Sequence, residues 1–111
     1  MNKVVKEMWV DALRSGEFQQ ICENLHDGSN FCALGVLYEL YRRDTGKGVW
    51  KLVSRGNEYE LTEISDMEVC EWAGVEDLYF LIQLDSLAYL TDLNDEGNAF
   101  TALALLIEEQ Y

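Results

Sequence analysis

Val5, Met8, Trp9, Ala12 and Leu13 recur at helical spacing, while Lys6, Glu7, Asp11 and Arg14 fill the other side. This predicts an amphipathic helix over 3–15, with Gly16 as its left-handed stop. The stretch Glu17–Leu25 carries Phe18, Ile21 and Leu25 among polar residues without a clean stripe, and reads as a short strand. After the loop 26–30, Ser29 or Asn30 can cap a second helix. Its first turns, from Phe31 through Ala33, Leu34, Val36, Leu37, Leu40 and Tyr41, are apolar nearly all round, as a central buried helix requires. Gly35 within it costs about 1 kcal/mol relative to alanine, so it marks the close approach of a neighbouring element. Arg42 and Arg43 suit the negative end of the helix dipole, and Gly46 ends the helix.

The β-formers of 49–55 and 58–62 flank Gly56-Asn57 and predict a hairpin with a two-residue turn. Ser65-Asp66-Met67-Glu68 is a capping box opening a third helix. Ile64 and Val69 stand at the staple positions, and Gly74 is the stop after Ala73. Leu78–Leu84 is too short and uniformly apolar for periodicity to decide; it is read as irregular or extended, leading to a cap at Asp85 or Ser86 and a short helix with Leu87, Leu90 and Leu93. After the turn 94–97, a last helix puts Phe100, Leu103, Ala104 and Ile107 on one stripe and closes the core. The expected architecture is α+β: a single domain over 1–111, with about four to five helices packed on a short antiparallel sheet or hairpin.

Charge changes this picture more than composition does. The net charge is −13, yet residues 1–55 hold all eight Lys and Arg against seven acids, whereas 56–111 hold fourteen Asp and Glu and no base. Such a half repels nucleic acid and anionic lipid and attracts basic protein surfaces; it also serves solubility. No apolar run reaches transmembrane length, and no secretory signal is expected at the N-terminus. The three cysteines, Cys22, Cys32 and Cys70, are expected to be reduced and buried, as in a cytoplasmic protein.

Chemistry-bearing constellations are sparse. Cys22, His26, Asp27 and Cys32 cluster, but the spacing C-x3-H-x5-C fits no zinc pattern and the chain has one histidine. Asp92-Leu93-Asn94-Asp95-Glu96-Gly97 begins like a calcium loop, but the twelfth position, which needs a bidentate glutamate, is Leu103. It reads instead as a turn in which Asn94, Asp95 or Asn98 caps the last helix, with Asp92, Asp95 and Glu96 left as a weak cation site or carboxylate pair. No nucleotide-binding or hydrolase motif is present, and neither a metal nor a cofactor is expected.

Trp9-x-x-Ala12-Leu13-Arg14-Ser15-Gly16, Phe31-Cys32-Ala33-Leu34-Gly35-Val36-Leu37, Glu71-Trp72-Ala73-Gly74 and Leu90-Thr91-x-Leu93-Asn94-Asp95-x-Gly97-x-x-Phe100 together resemble a family of small proteins of tailed bacteriophages and prophages. In that family the second segment often reads F-C-C-L-G-V-L-C; here Ala33 and Tyr38 replace two of the cysteines. The resemblance implies a protein acting in the bacterial host cytoplasm.

The expected function is that of an acidic accessory protein, not an enzyme, that binds a host protein with a basic surface. That target would be a defence or nucleic-acid-handling factor, met by mimicry of phosphate charge. The acids available for this are Glu63, Asp66, Glu68, Glu71, Glu76, Asp77, Asp92, Asp95 and Glu96. The alternative is binding or sequestration of a nucleotide signal by Arg14, Arg42, Arg43 or Arg55 with nearby aromatics. A small enzyme using Asp92, Asp95 or His26 ranks last. Neither membrane binding nor direct nucleic-acid binding is expected, and self-association stays open.

Overall fold

The computed structural model of the chain describes residues 1–22, 24–53, 56–76, 94 and 99–111. Helix α1 (Lys3–Arg14) starts where the Asn2 side chain accepts from the backbone N–H groups of Val4 and Val5 at 2.9 and 3.1 Å, satisfying donors that lack a helical partner. It buries Val5, Trp9 and Leu13 of the predicted stripe and also Val10, which the stripe did not include, while Met8 and Ala12 are half-buried; Gly16 follows in the left-handed region at φ 79°. The Asn2 amide also donates to Ala73 O at 2.7 Å, which stitches the start of α1 to the end of the third helix.

Helix α2 (Ala33–Thr45) is buried at every position from Ala33 to Tyr41 and ends on left-handed Gly46, as predicted. Its cap differs from the expectation. Cys32, not Ser29 or Asn30, is the N-cap, and its Sγ accepts from Gly35 N–H at 3.3 Å. Ser29 and Asn30 are occupied upstream, where both donate their backbone N–H groups to Asp27 Oδ1 in an Asx turn. Gly35 meets its predicted neighbour, because a Cβ there would lie 1.9 Å from the Leu25 carbonyl oxygen. The same carbonyl accepts from Cys32 N–H at 3.1 Å, so the loop before α2 runs directly over the helix start.

That loop is not the predicted strand. The described residues of 17–25 make an isolated bridge in place of a strand: Ile21 N–H donates to Phe31 O and Phe31 N–H to Gln19 O, both at 3.0 Å. The pairing stops there because the next backbone groups bond to side chains, as shown below.

Strands β1 (Val49–Leu52) and β2 (Tyr59–Thr62) form the antiparallel hairpin, with Trp50 opposite Leu61 and Leu52 opposite Tyr59. A two-residue turn at Gly56-Asn57 would have paired Arg55 with Glu58. Instead, Val53 donates to Glu58 O at 3.0 Å. The register is thus shifted by two residues, which preserves the facing of every side chain. Burial sets this register, since it places Trp50 and Leu61 together against the core.

Glu63, at φ 66°, turns the chain into helix α3 (Asp66–Ala73), which has Ser65 as N-cap and Gly74 as left-handed C-cap. Gly74 also faces the backbone of Asn2, 2.8 Å from where a Cβ would lie. Helix α4 (Phe100–Gln110) buries Phe100, Leu103, Ala104 and Ile107, again as predicted. Its N-cap is Ala99, without a side-chain bond of its own, and the Asn94 side chain is engaged elsewhere, as shown below; Asp95 and Asn98, the other expected caps, lie outside the described residues.

Helix α1 packs on α2, α3 and α4, and α2 packs on α3. The described residues are thus α+β: four helices and a two-stranded antiparallel sheet. The predictions for Leu78–Leu84 and for the helix from Asp85 or Ser86 to Leu93 lie outside them. None of the described helices is long and apolar enough to cross a membrane.

Gly35→Ala should lower stability in urea by about 3 kcal/mol or more, because a backbone carbonyl cannot yield as a side chain can. An unchanged unfolding midpoint would contradict the close approach.

Candidate functional site

The described arginines are bonded within the chain. Arg42 grips the buried Glu39 with Nε at 2.6 Å and Nη2 at 2.9 Å, and Arg43 Nε adds a third bond to the same carboxylate at 3.0 Å. Trp50 Nε1 donates the fourth, at 3.0 Å, so the hairpin is fastened to α2 through this carboxylate. Burial alone would raise the Glu39 pKa, but the bonds from Arg42, Trp50 and Arg43 outweigh it and hold the carboxyl at about 2. Arg43 also reaches Glu17 at 2.8 Å and lies over the Phe18 ring, and Arg14 pairs with Glu108 at 2.8 Å. Three of the four arginines considered for phosphate recognition are therefore bonded to carboxylates; Arg55 lies outside the described residues.

The acids of the second half are placed differently. Glu60 on β2, Glu63, Asp66, Glu68 and Glu71 around α3, and Glu76 beyond it are all exposed. Among the described residues none of these six has a Lys or Arg within 4.0 Å. Two are oriented by α2: Tyr38 OH donates to Asp66 Oδ1 at 2.6 Å, and Tyr41 OH to Glu68 Oε2 at 3.3 Å. Burial and then the Asp66 carboxylate push the Tyr38 hydroxyl well above the ordinary tyrosine range. Ser65 Oγ accepts from Glu68 N–H at 3.3 Å, the first half of the predicted capping box, while the Glu68 carboxylate turns to Tyr41. Asp77, Asp92, Asp95 and Glu96 lie outside the described residues.

Between these acids and the core runs a cleft of about 290 Å³, lined by Leu25, Leu34, Tyr38, Glu60, Leu61 and Asp66. Its lining combines three leucines and Tyr38 with two carboxylate-bearing residues. The sequence pattern singled out Asp66 but neither Glu60 nor this cleft, which forms where the loop at Leu25, helix α2 and strand β2 converge.

The chain is a member of the DUF8296 family. The family model, described as a domain of unknown function, matches residues 1–111. No curated protein and no solved structure matches the chain.

In this DUF8296 domain the cysteine–histidine cluster is built into the fold. The buried His26 ring stacks on Phe31 at 4.0 Å between centroids, meets Trp50 at 4.8 Å and Tyr59 at 5.3 Å, and places Nδ1 2.8 Å from Asn30 O. Asp27 spends its carboxylate on the backbone of Asn30 and Ser29, bonds that lower its pKa. Cys32 and Cys70 are buried and Cys22 is exposed, a correction to the expectation that all three are buried; all are free thiols. No group of three or more His, Cys, Asp and Glu able to hold a metal occurs among the described residues.

Sequence reasoning missed Glu39 and Asn94. Glu39 precedes Arg42 and Arg43 by three and four positions, a spacing that signals ion pairs on a helix. Asn94, read as a cap, is 1 % exposed. Its Oδ1 accepts from Gln20 Nε2 at 2.9 Å and from Ala33 N–H at 3.1 Å, while its Nδ2 donates to Ile21 O at 2.7 Å. No local pattern announces contacts of that range.

The Glu39 cluster gives this domain a defined acid sensitivity. Its folded pKa, about 2, lies below the ordinary 4.5, so its stabilisation is complete above pH 4.5 and is lost as pH falls toward 2. Glu39→Gln should flatten stability between those values in denaturant melts across pH, at lower stability near neutrality. A variant with the wild-type acid slope would contradict the assignment.

Proposed function

We propose that the chain is a binding protein whose anionic face, formed by β2, α3 and the residue beyond it, docks a basic surface on a protein of the bacterial host cytoplasm. The observation that carries this reading is the division of charge: Arg14, Arg42 and Arg43 are bonded to acids, while Glu60, Glu63, Asp66, Glu68, Glu71 and Glu76 face outward. A face left negative in this way speeds encounter with basic partners and rejects nucleic acid. Tyr38 and Tyr41 add order by fixing two of the carboxylates, which lowers the entropy lost on docking. The phage setting is what the four-segment resemblance implies. Within it, charge mimicry of phosphate suits a target that itself handles nucleic acid or acts in defence.

Tagged protein should capture a specific partner from bacterial lysate at about 0.1 M salt and release it at about 1 M, where the screening length falls from about 10 to about 3 Å. The combined variant Glu63→Gln, Glu71→Gln, Glu76→Gln should capture less at low salt without losing its fold. A partner held equally at both salt concentrations, or equally by the neutralised variant, would contradict the reading.

A further inference from the structure

We propose that the cleft between the Leu25 loop, α2, β2 and the start of α3 is the seat of an arginine side chain of the basic partner; this rests on the function proposed above and names its anchor. The lining divides as an arginine does. Leu25, Leu34 and Leu61 offer apolar surface to a methylene stem, while Glu60 and Asp66 offer carboxylates to its charged end. Long cationic side chains bury the stem and keep the charge at the rim, and a cleft of about 290 Å³ with this lining has room for one such residue.

Asp66 is prepared for the role. Tyr38 holds Oδ1 at 2.6 Å, which fixes the carboxylate plane and leaves Oδ2 for a second donor. Among the described residues no lysine or arginine approaches Glu60 or Asp66 within 4.0 Å. Lys51 is the nearest competitor by register, across the ladder from Glu60, and it makes no ion pair with it.

Guanidinium fits better than ammonium here. Its planar fork of five donors can bridge two carboxylates, and it sheds water at lower cost. Among the described residues a second copy of this chain is a poorer donor, because Arg14, Arg42 and Arg43 are already bonded to Glu108, Glu39 and Glu17; Arg55 lies outside the described residues.

The test is an amide NMR titration of the full chain with N-acetyl-arginine-N-methylamide, beside the same derivative of citrulline, which keeps the shape and lacks the charge. The expected result is saturable shifts at Leu25, Leu34 and Leu61 with the arginine compound and none with citrulline. Glu60→Gln should weaken the affinity about three- to tenfold. Asp66→Asn should do so as well; since it also disturbs the Tyr38 bond, Glu60→Gln is the decisive variant.

Three results would overturn the cleft: no saturable shift, shifts that follow Glu71 and Glu76 equally in wild type and Glu60→Gln, or cleft shifts that appear on concentrating the chain without any probe. Diffuse shifts together with salt-sensitive capture would remove the anchor and leave the charged face standing. Cleft shifts with salt-insensitive capture would do the reverse.

Discussion

The rest of the structure depends on how the backbone of one residue, Ala33, is held. Its N–H donates to Asn94 Oδ1 at 3.1 Å, and its carbonyl accepts from Trp9 Nε1 at 2.9 Å. The first N–H groups of a helix have no partner within the helix, and burying one unpaired costs about 1–3 kcal/mol. At Ala33, which is fully buried, no water is at hand, so the partner must come from the protein. Asn94 supplies it and, with the other end of the same amide, accounts for Ile21 O. Trp9 brings α1 to the same residue. Two helices and the loop before α2 therefore meet where polar obligations leave little latitude.

Once α2 is anchored, the positions of the charges follow from its faces. The face carrying Glu39 gathers Arg42, Arg43 and Trp50 around one buried carboxylate, which ties the hairpin down and pairs with two cations. The face carrying Tyr38 and Tyr41 meets the first turn of α3, where negative charge suits the helix dipole and the two hydroxyls orient Asp66 and Glu68. The same scaffold thus removes positive charge from circulation and displays negative charge. The carboxylates near the cleft owe their setting to the element that carries the core.

Local signals made much of this legible. Helical stripes marked the buried residues of α1 and α4, Gly46 and Gly74 marked helix ends, and Gly35 marked a close approach that proved to be the Leu25 carbonyl. Ser29 and Asn30 are good caps by type, but Asp27 ties their amides into a turn and the helix begins only at Ala33, so Cys32 holds the cap position. Elsewhere a distant partner overrode the local rule. Asn94 had the composition of a turn and became a core residue because Gln20, Ile21 and Ala33 needed it. The acids of the candidate face were readable as charge; the cleft beside them was not, since Leu25, Leu34 and Leu61 are separated in sequence and look like ordinary core positions.

The most direct test of the central constraint is native-state amide hydrogen exchange on the wild type and on Asn94→Ala. The account predicts that the Ala33 amide of the wild type exchanges as slowly as the buried interior of α4, for example Leu103. In the variant, Ala33 should lose far more protection than Leu103, exchanging through local opening of the 20–33 region. Equal losses at both amides, or no loss at Ala33, would mean that Asn94 does not hold the start of α2 and that the fold is anchored elsewhere.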